Sequence, residues 1–279
     1  MPEHKFDKKL HNCTVCNSSD ISTYFTDMHG INIDICSDCG FQFMNPQYSN
    51  DYLDEYYSQY SQGDAYDYWK EATFYGHNFY LSLVEKYTRP GKLLDIGSGN
   101  GHLLEAAKSR GWSITGYDVD EESTQRVADR LNEKIYSGDF FSCEFEGDYD
   151  LISMHQVLEH LKEPNAYLDK VHELLKDDGH FFIAVPNIKS LANRFKRFME
   201  RNNLRRKNIG KYYDTSHHLS YFEPDTLKKM LDLHGFKVLY TRNCHAVRPN
   251  QSSLTRFIRR NITEHFFATS AFLFIARKK

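Results

Sequence analysis

"LLDIGSGNGH", residues 93–102, sets glycine at 97, 99 and 101 directly behind an apolar run that carries an acid, Asp95. Glycine lacks a Cβ and enters left-handed backbone without steric cost, so alternate glycines describe a loop that another group approaches closely. "KLLDIG" (92–97) reads as a buried strand. "GHLLEAAKSRG" after the loop reads as a helix with Leu103, Leu104 and Ala107 on one face and Gly111 as its stop. A helix N-terminus behind such a loop offers free N–H groups and the positive end of a dipole.

The pattern continues outward. "SITGYD", "KIYSGD", "DYDLISM" and "HFFIAVPN" read as further strands, with helices over "DEESTQRVADRL" and "PNAYLDKVHELLK", and "DDG" (177–179) as a turn. "EPDTLKKMLDLHG" is a helix with Pro224 in its first turn and Gly235 behind its end, and "FKVLYTR" and "ATSAFLFIAR" are late strands. Strands alternating with helices of this length predict an α/β, doubly wound parallel sheet. Its ligand lies beyond the carboxyl ends of the strands, where Asp118 can take two ribose hydroxyls. A dinucleotide pattern, G-x-G-x-x-G, would need glycine at 102, where His102 stands. Asp95 would also repel a pyrophosphate, whereas a cationic amino-acid end would be drawn to it.

On these residues the stretch 91–279 resembles class I methyltransferases that use S-adenosylmethionine. "LLDIGSGNG" is similar to their first motif, "GYDVD" (116–120) to the acidic end of their second strand, and "SGDF" (137–140) to their adenine-side turn. Residues 150–187 resemble the subgroup that includes ubiquinone-pathway O-methyltransferases, as does "HHLSYFEPDTLKKMLDLHGFKV" (217–238). The resemblance implies a Rossmann-like seven-stranded sheet. It implies the methionine end near Asp95, Gly97 and Gly99, the ribose on Asp118 with Val119 beside it, and the adenine at Asp139 and Phe140. His155 falls where the fourth strand meets the cofactor.

A hydroxyl acceptor needs a base for its proton. His155, Glu159, His160, His217 and His218 are the candidates. In small-RNA 2′-O-methyltransferases and ubiquinone-pathway enzymes a similar segment reads Glu-x-x-Glu-His and holds a divalent metal. Here Gln156 replaces the first Glu. Both a metal held by Glu159, His160 and a later His and a histidine acting directly as base stay open. In the bland alternative Glu159 and His160 cap a helix while His217 and His218 line a loop.

Upstream, Cys13–Cys16 and Cys36–Cys39 form two C-x-x-C knuckles, a spacing that fits a structural Zn²⁺ site with four thiolates and no open position. Cys143 and Cys244 stand alone and read as small buried hydrophobes. The expected division is a zinc ribbon over 1–47, an aromatic helical lid over 48–90 rich in Tyr, and the main domain over 91–279 with a basic insertion at 189–222. Residues 189–211 hold nine Lys/Arg and one acid. They read either as an anion site or as a solvated helix whose stripe Leu191, Phe195, Phe198 and Met199 packs on the core.

The net charge of −3 argues against a whole-molecule polyanion binder, and no apolar run is long enough to span a bilayer. With no leader-like start, the expected location is cytoplasmic. The ribbon resembles that of bacterial sugar methyltransferases, which implies O-methylation of a sugar, nucleotide sugar or surface polysaccharide. C-methylating relatives carry a further C-terminal domain that this sequence does not show. The alternatives are an RNA methyltransferase gripping its substrate with ribbon and insertion, and a non-catalytic cofactor-binding partner. The acceptor is expected to be small or a glycan, possibly phosphate-bearing, and the sequence leaves oligomeric state open.

Overall fold

A computed structural model of the chain describes residues 6–60, 76–204, 210–244 and 270–279. The cysteine-bearing region forms β1 (Ile21–Thr26), β2 (Asn32–Cys36) and β3 (Gln42–Met44), paired antiparallel in that order. Helix α1 (Asn50–Tyr60) and a helical stretch α2 (76–84) follow. Leu81, Leu83 and Val84, the residues that predicted α2, are all buried.

From residue 92 strand and helix alternate as expected. The elements are β4 (Lys92–Ile96), α3 (His102–Ser109), β5 (Ser113–Tyr117), α4 (Glu121–Leu131), β6 (Ile135–Tyr136), β7 (Tyr149–His155), α5 (Pro164–Leu174) and β8 (Leu175–Pro186). Then come α6 (Leu191–Arg201), β9 (Ser220–Tyr221), α7 (Pro224–Leu233), β10 (Phe236–Cys244) and β11 (Ala271–Lys278). The predicted Asp177-Asp178-Gly179 turn survives as an irregularity inside β8: Leu175 pairs with Tyr149 and His180 with Leu151, so the residues between them bulge opposite Asp150.

Among the described residues, seven strands form one sheet in the order β10-β11-β8-β7-β4-β5-β6. The strands from β6 to β8 are parallel, and β11 runs antiparallel to both β8 and β10. The chain winds outward from β4 through β5 to β6 and, on the other side, through β7 to β8. A crevice therefore opens where the winding reverses, at the ends of β4 and β7.

Neighbouring strand residues face opposite ways. Leu94, Ile96, Ile152, Met154 and Ile183 share one core with α5 and α7, and Leu93, Leu151, Phe182 and Ala184 share another with α2 and α3. Each such Leu, Ile, Met or Phe side chain, fully buried, contributes about 1.5–3 kcal/mol. The first core continues into the cysteine region through Cys13, Phe41 and Phe43. Strand β9 ties the two further: Ser220 and Tyr221 pair with Phe43 and Gln42, adding a fourth strand to the N-terminal sheet.

The predicted helix in the basic segment forms, as α6. Its apolar stripe does not pack on the core. Leu191, Phe195 and Phe198 are exposed, and no residue of α6 is buried.

Candidate functional site

The loop between β4 and α3 is held by its own amides. Gly97 and Ser98 donate to the Tyr117 carbonyl at 2.7 and 2.9 Å. Gly99 N donates to Asp118 Oδ2 at 2.7 Å, and Asp120 N donates to Oδ1 at 3.2 Å. The glycines at 97 and 99 have φ of 76° and 48°. A Cβ at Gly97 would be driven into Val157, whereas one at Gly99 would meet nothing within 4 Å. The backbone is therefore packed against the protein at Gly97 and open at Gly99. Between them Ser98 Oγ is buried with no hydrogen-bond partner.

Two carboxylates flank this opening. Asp95 is buried and accepts a bond from Ser153 Oγ at 2.6 Å. Burial, with the Asp118 charge adding to it, pushes its carboxyl up to about 7. Burial also raises Asp118. Val119 beside it is 50% exposed.

At the end of β6, Asp139 caps a short 3-10 turn and accepts from Ser142 Oγ at 2.5 Å, a bond that holds its carboxyl low. Phe140 is buried and stacked on Tyr167 at 4.5 Å and 6°. The accessible ring of the pair is Phe141.

The candidate histidines fall into two groups. In the first, His155 at the end of β7 lies 5.4 Å from the His77 ring and 5.6 Å from Tyr80, both on α2. Burial lowers His155 to about 4 and also lowers His77. His77 was not predicted. It lies 78 positions upstream of His155, and only tertiary folding joins them.

The second group stands on the 3-10 turn 158–160 and the segment before β9. His160 stacks on His217 at 4.9 Å, and His218 lies edge-on to His160 at 4.8 Å. One ligand atom from each of the three lies within 4.8 Å of the others. Tyr56 Oη on α1 is 3.1 Å from His217 Nδ1. Burial lowers His160 to about 3 and His218 to about 4, so neutral imidazoles face one another. Glu159 Oε1 is 3.8 Å from His160 Nε2, yet both its buried carboxylate oxygens lack a hydrogen bond. Burial lifts that carboxyl to about 8.

The groups meet through the turn after β7. Gln156 has φ of 60°, a left-handed conformation uncommon for this residue type. Val157 then packs beneath Gly97.

The four predicted knuckle cysteines converge: Cys13 and Cys39 sulfurs are 3.6 Å apart, and Cys16 and Cys36 3.5 Å apart. They are free thiols, with all four within 4.8 Å of one another. Zn–S bonds near 2.3 Å imply sulfur separations of about 3.8 Å, so the set fits a tetrahedral Zn²⁺. Burial pushes Cys13 up to about 11. A cation would compensate that cost by stabilising the thiolates. The tyrosines and tryptophan of 61–75, and Arg205, Arg206 and Lys207, lie outside the described residues.

Comparison with known proteins adds a family. The Methyltransferase domain family matches residues 68–241, more than half of the chain. A ubiquinone biosynthesis O-methyltransferase of Pseudomonas aeruginosa (strain LESB58) is 31% identical over 103 residues, 34% of this chain and 44% of that protein. One from Caulobacter vibrioides is 30% identical over 109 residues, 36% of this chain and 43% of that protein. The matched part spans less than half the length of either relative. Among solved structures, a chain of the complex between the Haloferax volcanii Trm112 methyltransferase activator and a methyltransferase aligns with a TM-score of 0.56. It is 16% identical, covering 82% of this chain and 98% of that one. A SAM-dependent methyltransferase from Mesorhizobium loti aligns at 0.53, 15% identical, covering 74% and 100%.

Proposed function

The chain belongs to the methyltransferase domain family, and from that membership we propose that it transfers a methyl group from S-adenosylmethionine to a hydroxyl of a small acceptor. The observation that carries the reading is the open backbone at Gly99 between two raised carboxylates. A ligand with a cationic amino-acid end and a ribose satisfies these groups together. S-adenosylmethionine supplies an electrophilic methyl on a sulfonium.

The chain's own residues then divide the work. Asp95 and the amides of the glycine loop hold the amino-acid end, Asp118 takes the ribose hydroxyls, and Asp139 takes the adenine amine. Phe140 lies sealed behind that position, so the ring that covers adenine is Phe141. The acceptor sits over the turn after β7, between the two histidine groups. Its oxygen is aligned in line with the breaking bond, which is most of what this reaction asks of a protein. A neutral imidazole takes the acceptor's proton. His155, His160 and His217 are all held neutral by burial and able to accept it.

His160, His217 and His218 also fit a divalent metal, since one ligand atom of each lies within 4.8 Å of the others; Glu159 stands outside that set, 3.8 Å from His160, with no bond to its oxygens. A metal there would polarise the acceptor hydroxyl. The relatives with O-methyltransferase names and the Tyr56 ring stacked on His217 support a small ring-bearing acceptor, a phenol or a sugar. The zinc ribbon is read as structural. The test is methyl transfer from labelled cofactor, offered phenols, nucleotide sugars and RNA in parallel. Turnover on RNA alone, or on nothing with a nucleophilic hydroxyl, would overturn the acceptor class.

A further inference from the structure

Helix α6 is amphipathic with its faces reversed. Its body side is held by polar contacts: Arg197 lies 5.0–5.6 Å above the rings of Tyr24, Tyr212 and Tyr213, and Asn193 Nδ2 donates to the Asn187 carbonyl at 3.1 Å. Its outward side carries Leu191, Phe195 and Phe198, which are 54, 63 and 58% exposed. Spacings of four and three residues put them on one stripe. Leu204, 64% exposed, lies just beyond the helix. Nothing in the function proposed above uses this face.

Charge says what covers it. Of the five cations between 189 and 204, Arg197 faces the body and Lys189 is paired with Glu223, which leaves Arg194, Lys196 and Arg201 against a single acid, Glu200, in a chain whose net charge is −3. Arg194 and Arg201 are exposed alongside the stripe. Two copies of this helix packed face to face would bring cations against cations. The helix is only about 16 Å long, too short to bury the roughly 800 Å² per partner of a stable protein interface. Apolar residues flanked by arginines instead match a lipid surface. Rings enter the acyl boundary, and the guanidinium groups reach anionic headgroups.

We propose that α6 docks this protein on the surface of an anionic membrane, lying in the interface plane with Leu191, Phe195 and Phe198 inserted. The association is peripheral, since no helix among the described residues is long and apolar enough to cross a membrane. It does not depend on the acceptor or on methyl transfer.

The experiment is sedimentation of the full chain with vesicles of phosphatidylcholine containing about one third phosphatidylglycerol. Binding is expected to these vesicles, to fall at least about 10-fold on pure phosphatidylcholine, and to weaken with salt as screening predicts. F195S/F198S should lose it while keeping its melting temperature and cofactor binding. F195W, which keeps the apolar face, should bind and shift its fluorescence to the blue. Failure of the wild-type chain to sediment with anionic vesicles would overturn the proposal, as would equal binding by F195S/F198S. A lipid-free dimer abolished by the same substitutions would assign the face to a second copy instead. Displacement of bound vesicles by RNA would assign it to nucleic acid.

Discussion

The carboxylate of Asp118 is bonded to the amide of Gly99 at 2.7 Å. The acid that ends β5 thus fixes the loop that ends β4, with no ligand needed to bring the two strand ends together. On the proposed function, a ribose arriving there would meet an oriented acceptor.

Replacing Asp118 by alanine removes both its roles. Bonds to a charged group contribute about 1.5–3 kcal/mol each, so loss of two is expected to weaken cofactor affinity about 100-fold or more. Isothermal calorimetry with S-adenosylhomocysteine measures this directly, and an unchanged affinity would remove the ribose from Asp118.

The glycines can be separated by the same measurement. Gly97→Ala combines a left-handed φ with a clash on Val157, and is expected to cost roughly 2–4 kcal/mol of stability. Gly99→Ala has the strain without the clash and is expected to cost only about 1 kcal/mol. Its cofactor affinity should nevertheless fall at least about 10-fold, because the methyl fills the open space. Normal affinity in Gly99→Ala would place the ligand elsewhere.

Asp95 makes the site pH-dependent. In the folded protein it keeps its proton up to about pH 7, whereas an unfolded aspartate loses it near pH 4. Its folded value is the higher, so unliganded stability falls as pH rises across that window and levels off above it. A cationic ligand favours the carboxylate. Affinity should therefore climb from about pH 5.5 to 7 with release of about one proton, and Asp95→Asn should flatten the profile. Calorimetry in buffers of different ionisation enthalpy counts the proton; a count of zero contradicts the assignment.

Much of this was legible in the chain, for physical reasons that differ by element. Strand and helix periods, the glycine loop and the paired cysteines are local patterns, and each appears where it was expected. Phe140 and Phe141 are adjacent aromatics, and only the packing of Tyr167 decides which is sealed. The stripe of α6 has the period of a core-facing helix, but Arg197 binds three tyrosines and turns the stripe outward. His77 and β9 were illegible because each takes meaning from a partner far away in sequence.

Glu159→Gln tests the second histidine group. The substitution keeps the buried volume and, at neutral pH, exchanges a mostly protonated acid for a neutral amide, so the melting temperature there should change by no more than a few degrees. If Glu159 helps hold a metal, a Mn²⁺ titration that binds the wild type should show affinity reduced at least about 10-fold, with turnover falling in parallel. Full turnover in Glu159→Gln excludes that carboxylate from the reaction.

Metal analysis should find about one zinc per chain, lost in Cys36→Ser, with a melting temperature lowered by several degrees. An iron–sulfur absorbance would refute the zinc reading.

That last substitution reaches farther than its own module. Met44 N bonds to the Leu219 carbonyl, and Leu219 N bonds to the Glu159 carbonyl, each across a distance of 2.9 or 2.8 Å. A thread of peptide groups therefore runs from the cysteine sheet through the segment behind His217 and His218 to the buried acid. The cysteine-bearing sheet is a clasp on that segment. Cutting it away, or oxidising its thiols, would slacken a hinge several residues from the chemistry while leaving the sheet of the main body intact.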